Sequence, residues 1–168
     1  MKRIAFSDMQ CSMSRALDVI GDWWTPLIIR DLFIGVCRFD QLVADLGISR
    51  NLLTSRLKLL EEGRLVARRA YSDKPPRYEY ALTSAGADLV PVLMALTAWG
   101  DKWVRPAEGK PILFRHHACG NVFAPEITCP HCAGAVDATT VSALPGPGSR
   151  KKRGTMMLAE IFEKAQHA

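Results

Sequence analysis

No apolar run in these 168 residues approaches the ~20 that a membrane-spanning helix needs, and the opening MKRIAFSDMQCSMS has no continuous apolar core of the signal-peptide kind. A cytoplasmic protein with no membrane partner is the expectation. Cysteine is sparse and odd in number, five, which argues against a disulfide framework and suits a compartment that keeps thiols reduced. Aromatics are only 8% of the chain and do not interleave with basic residues along a flat strand, so a surface for stacking RNA bases is not evident. Acid is the scarcer charge. With 17 Asp and Glu against 22 Lys and Arg the formal charge is +5, and the pI is near 9.1, favouring a polyanionic partner. What remains is ordinary: 48% hydrophobic and 23% charged residues suffice for one cored domain plus an appendage.

The stretch from Ile48 to Leu82 carries most of the information. In ISRNLLTSRLKLLEEG, helical spacing keeps Leu52, Leu53, Leu57, Leu59 and Leu60 on one side, with Arg50, Asn51, Thr54, Ser55 and Lys58 mainly on the other. Ser49 is a natural N-cap, because its hydroxyl can accept from an orphan backbone N–H, and Gly63 is a natural stop. Leu65–Ala70 and Arg77–Leu82 then read as short strands, with Ser72, Asp73, Lys74, Pro75 and Pro76 supplying the turn of a basic hairpin.

Upstream, helices are expected over Ser14–Ile20, Pro26–Phe33 and Arg38–Leu46, with Gly47 making the tight turn into the helix at Ser49. This is the order of a helix-turn-helix followed at once by a wing. Thr83 and Ser84 can cap a long helix running to Trp103, bent at most locally by Pro91, whose apolar stripe suits dimerisation or cover of the core. Residues 104–113 are linker-like. Leu144–Arg153 is a flexible basic stretch, and Met156–Ala165 an amphipathic helix. The fold class expected is mainly α with a β-hairpin wing, plus a small ribbon-like β module. The divisions are 1–104, 105–143 and 144–168.

From Cys11 to Gly100 the chain resembles the HxlR-type winged helix-turn-helix transcriptional regulators of bacteria and archaea. The resemblance rests on Cys11, Leu17–Gly21 with Trp24, Arg38-Phe39, Ile48-Ser49, Leu53-Thr54 with Arg56-Leu57, Leu60–Gly63, Pro75-Pro76 with Tyr78–Tyr80, Leu82-Thr83, Gly86 and Trp99-Gly100, in that order. It implies a homodimer, held by the N-terminal helix and the long helix after the wing, that binds a pseudo-palindromic operator on double-stranded DNA. Two recognition helices related by a two-fold axis can enter successive major grooves about 34–36 Å apart.

On that reading Arg50, Asn51 and Thr54 reach base edges or nearby phosphates, Ser55 and Lys58 meet the backbone, and Lys74 and Arg77 at the wing tip meet phosphate or the minor groove. Arg56 either binds phosphate or braces the turn, or else pairs with Glu61 or Glu62. Cys11 lies at the start of the first helix with Arg15 one turn on, a setting that lowers a thiol pKa. The resemblance makes it either a sensor of oxidants or electrophiles or a small residue in a dimer interface. Cys37 has no assigned role.

The other three cysteines fall in His116-His117-Ala118-Cys119 and Cys129-Pro130-His131-Cys132, two xxC pairs that resemble a zinc ribbon. Such spacing lets His116, Cys119, Cys129 and Cys132 close a tetrahedron around one structural Zn2+, with His117 and His131 as rival ligands. The alternative is an unmetallated ribbon whose thiols form a disulfide on oxidation. The leading function is a DNA-binding regulator, most often a repressor in such families, set by a small-molecule or thiol signal. An RNA-binding or protein-docking adaptor is the alternative, and no catalytic constellation is apparent, so an enzyme is not expected.

Overall fold

The computed structural model describes residue 6 and residues 8–74, 76–104 and 107–165. Contacts group them into two compact units, one of residues 1–27 with 142–168 and one of residues 28–141. The first carries α1 (Ser12–Ile20), the first residues of α2 (Trp24–Ile34), and α7 (Met156–Ala165). The helix α2 opens on Asp22, whose Oδ1 accepts from Trp24 N at 2.7 Å and Thr25 N at 3.2 Å, so Pro26 falls in a first turn that lacks nothing by losing an N–H. The expected C-terminal helix is present over the residues anticipated. The basic stretch before it folds back on the N-terminal residues: Gln10 N donates to Arg153 O at 3.0 Å, and Arg153 pairs with Asp8.

In the second unit, α3 (Phe39–Leu46) and α4 (Arg50–Glu62) form the helix-turn-helix, and β1 (Val66–Asp73) and β2 (Pro76–Leu82) the wing. Gly47 takes a left-handed φ of 63°, closing α3 through its N–H on Val43 O, a conformation open to glycine at little cost. Ser49 caps α4 as expected, accepting from Leu52 N at 3.3 Å. At the other end Gly63 is right-handed, and the left-handed position falls on Arg64 at φ 56°, where Leu65 N reaches back to Leu60 O at 2.9 Å. Leu53, Leu57 and Leu60 are buried with Ile28, Ile29, Leu32, Leu42, Ile48, Leu65 and Val66, each such side chain contributing roughly 1.5–3 kcal/mol by leaving water. Leu59, expected on the apolar side, is exposed.

The wing is longer than its sequence suggested. Ser72, Asp73 and Pro76 are strand residues, with Asp73 paired to Pro76, while Pro75, expected in the turn, lies outside the described residues. A register shift between Ala70 and Ser72 leaves Tyr71 bulged.

The long helix after the wing is interrupted. Thr83 caps a short α5 (Ser84–Ala87), and α6 (Val90–Trp103) starts anew with Pro91 in its first turn. Proline has no N–H to offer a carbonyl four residues back and its ring crowds that carbonyl, so the ladder stops rather than bends. Gly86 is buried against β1, and a Cβ there would sit 2.1 Å from Leu65 O. Beyond α6, β3 (Phe114–Arg115) and β4 (Val122–Phe123) make a small antiparallel hairpin, and Thr128 bridges Ala135. Among the described residues no helix is long and apolar enough to cross a membrane.

Candidate nucleic-acid interface

The first turns of α4 point their polar face outward. Arg50, Asn51, Thr54, Ser55 and Lys58 are exposed, as are Lys74 and Arg77 at the wing tip. Their hydrogen bonds narrow what each can do. Thr54 Oγ1 donates to Arg50 O at 2.8 Å and Ser55 Oγ to Leu52 O at 2.9 Å, so each hydroxyl has its proton committed to the helix. Thr54 is left with a methyl and acceptor lone pairs, which suits a base edge. Ser55 must rotate its hydroxyl to donate to phosphate. Lys58 lies 3.8 Å from Glu62 along an exposed helix face, a pairing worth only about 0.3–0.5 kcal/mol and readily exchanged for a phosphate. Arg56 is half-buried, while Glu61 pairs with Arg68 at 3.3 Å and Glu62 with Lys58, so the two acids offered to Arg56 by the sequence have other cationic partners.

A cleft of about 550 Å³ separates the start of α4 from the wing, lined in part by Arg38, Arg50, Arg77, Tyr71 and Tyr78. Arg38 was not among the residues singled out as a DNA contact. Its Nε is 3.0 Å from Glu79 Oε1 and its guanidinium lies 4.8 Å from the Tyr71 ring centroid, so it joins the start of α3 to β2. The Glu79 carboxylate raises its pKa, and the group stays cationic. Its signal was the Arg38-Phe39 pair before a helix; what the sequence hid was the bulge that turns Tyr71 toward it.

Residues 19–108 match the model of the HxlR-like helix-turn-helix family. The chain belongs to that family. Over 141 residues, 84% of this chain and 89% of the relative, it is 46% identical to an uncharacterized HTH-type transcriptional regulator of Mycobacterium tuberculosis. It is 38% identical to another from Synechocystis over 56% of this chain and 70% of that relative. Among solved structures it is similar to PA1607, described as a candidate transcription factor, with a TM-score of 0.74 at 26% identity over 85% of this chain and all of that one. The redox regulator HypR in its reduced form gives 0.52 at 31% identity, over 55% of this chain and 92% of that one. This HxlR-like protein is therefore a helix-turn-helix transcriptional regulator and not an enzyme.

Two further groups in this HxlR-like protein carry cysteine. Cys11 is the N-cap residue of α1, half-buried in a cleft of about 340 Å³ shared with Arg15, Gly148, Thr155, Leu158 and Phe162. The backbone N–H of Ser14, then its hydroxyl and the N–H of Met13, hold the thiol below its ordinary pKa, although the sulfur makes no full-geometry cap hydrogen bond. In the ribbon, His116 Nδ1 lies 3.4 Å from Cys119 Sγ. The N–H groups of His131 and Cys132 and the Cys132 thiol lower the pKa of Cys129. Among the described residues the HxxC and CxxC knuckles do not gather a metal-holding group of three or more His, Cys, Asp or Glu.

Proposed function

We propose that this protein is a repressor that binds a pseudo-palindromic operator as a homodimer in the cytoplasm, its affinity set by a thiol-reactive or other small-molecule signal. The observation that carries the reading is the capped start of α4, with Arg50, Asn51 and Thr54 exposed beside a wing whose Lys74 and Arg77 make no ion pair among the described residues. Helix residues that read bases and wing cations that bind phosphate fail in different ways. Lys74→Ala and Arg77→Ala should weaken selected and scrambled duplexes alike and lower the salt dependence of binding by about one counterion each. Arg50→Ala should lose affinity mainly for the selected duplex, by about fivefold or more. Fluorescence anisotropy over a salt series measures both. Equal loss by Arg50→Ala on both duplexes sinks base reading by that residue.

Dimerisation is supported by α6, where Val92, Leu96, Trp99 and Trp103 follow one another at four, three and four residues and are each more than half exposed. That spacing forms one apolar stripe on a helix, the kind a second copy covers. On α1, Met13 and Leu17 are exposed one turn apart. HypR is named a redox regulator, and this chain places Cys11, with its lowered pKa, in an open cleft; these support a thiol signal read there. The thiolate would add to an electron-poor carbon, with the displaced electron pair taken up by the electrophile's carbonyl oxygen and a proton supplied by water. One structural Zn2+ held by His116, Cys119, Cys129 and Cys132 is supported by the donor set and by the two knuckles, which a metal would have to draw together as it bound.

A further inference from the structure

Arg50 is restrained twice, by two consecutive residues of another helix. Its Nη1 lies 2.6 Å from Asp40 Oδ1, and its guanidinium carbon lies 4.9 Å from the Phe39 ring centroid. The ion pair restrains the direction of the guanidinium and the ring contact restrains its position. Both restraints come from the first turn of α3, while the Arg50 backbone is set by the Ser49 cap. With Nη1 held, Nε and Nη2 carry no other hydrogen bond among the described residues. They form one edge of the fork, two parallel N–H donors of the spacing that guanine O6 and N7 accept in the major groove.

We propose that Asp40, with Phe39 beneath, is a positioning residue that determines sequence specificity by orienting Arg50 for guanine. The proposal rests on the reading of Arg50 as a base contact. The physical ground is preorganisation: a free arginine loses side-chain freedom when it docks, whereas one already restrained loses less. That gain is realised only at a base whose acceptors match the edge. Against it stands a carboxylate 80% exposed on a face that meets a polyanion. Its repulsion is the same for every sequence, so Asp40 lowers affinity for all DNA slightly and raises discrimination among sequences. A rival role, in which Asp40 merely competes with DNA for Arg50, gives a different outcome: its removal strengthens all binding and leaves discrimination unchanged.

The test uses the full chain. A duplex is selected from a random-sequence library by the wild-type protein, and affinities for it and for a scrambled duplex of equal length are measured at one salt concentration. Asp40→Asn keeps the shape and removes the charge; it should bind the scrambled duplex as well as wild type or up to about threefold tighter. Its ratio of selected to scrambled affinity should fall about three- to tenfold, the size of one lost side-chain restraint. Asp40→Glu should restore part of the ratio, and Phe39→Leu, which removes the ring and keeps an apolar contact, should lower it. A wild-type ratio in Asp40→Asn overturns the proposal. If Arg50→Ala also keeps the wild-type ratio, the base contact by Arg50 is wrong too; if Arg50→Ala loses the ratio and Asp40→Asn does not, only the positioning role is wrong.

Discussion

Asp31 has no exposed surface, and its Oδ2 has no hydrogen-bond partner among the described residues, while Arg30 serves Oδ1 through Nε at 2.8 Å and Nη2 at 2.6 Å. Burial raises its pKa; Arg30 opposes the shift and the carboxylate of Asp45 adds to it. The folded state therefore holds this proton more tightly than the unfolded chain. Its contribution to stability is fully present below the ordinary aspartate pKa and is lost as pH rises through the raised value. Asp31→Asn cannot ionise, so it should melt above wild type at pH 8, with the gap closing toward pH 4. Calorimetry at both pH values decides, and a gap that widens on acidification refutes the account. Cys11 has the opposite shift. Its alkylation by iodoacetamide, isolated by subtracting the rate of Cys11→Ser, should reach half its maximum below the ordinary thiol value of about 8.5. A quinone should weaken DNA binding by wild type and not by Cys11→Ser. Equal inhibition of both would remove Cys11 from the signal.

At the scale of elements, what was legible in the sequence was punctuated by side chains that act locally. Ser49 and Gly47 state their own roles, and α4 and α7 fall where cap and periodicity place them. The rest depended on partners distant in sequence. Pro91 is tolerable inside a helix or at its start; here it stops the ladder beyond α5, whose Gly86 lies against Leu65 O, the carbonyl that also accepts from Thr83 N. The strands run past Ala70 because the bulge at Tyr71 absorbs the register error that turn residues would otherwise force. Of the site, the exposed face of α4 could be read from spacing, whereas the pairs Arg50 with Asp40 and Arg38 with Glu79 join residues 10 and 41 positions apart. The ribbon sits between these cases, since each knuckle is local and their meeting is not. Protein purified without chelator should carry about one zinc per chain, lost in Cys129→Ser. Metal-free protein with an unchanged melting temperature in excess zinc would leave the ribbon unmetallated.

The whole molecule exposes more aromatic surface than its composition led one to expect. Trp23 is 91% exposed, and Trp99 and Trp103 are each more than half exposed. For α6 the proposed second copy would cover this surface. Leu96→Glu should therefore weaken self-association about tenfold or more, seen by sedimentation, and weaken operator binding with it while leaving the circular dichroism spectrum intact. A variant that stays dimeric places the interface elsewhere. The unit holding Cys11 has a different consequence, one of timing. Gln10 bonds to Gly148 across 138 positions and Asp8 to Arg153 across 145, whereas the helix-turn-helix and wing close over short loops. Contacts that far apart in sequence are slow to form, and on the ribosome they must wait until Gly148 and Arg153 have been made. A nascent copy can thus fold its helix-turn-helix and wing before the surroundings of its thiol exist.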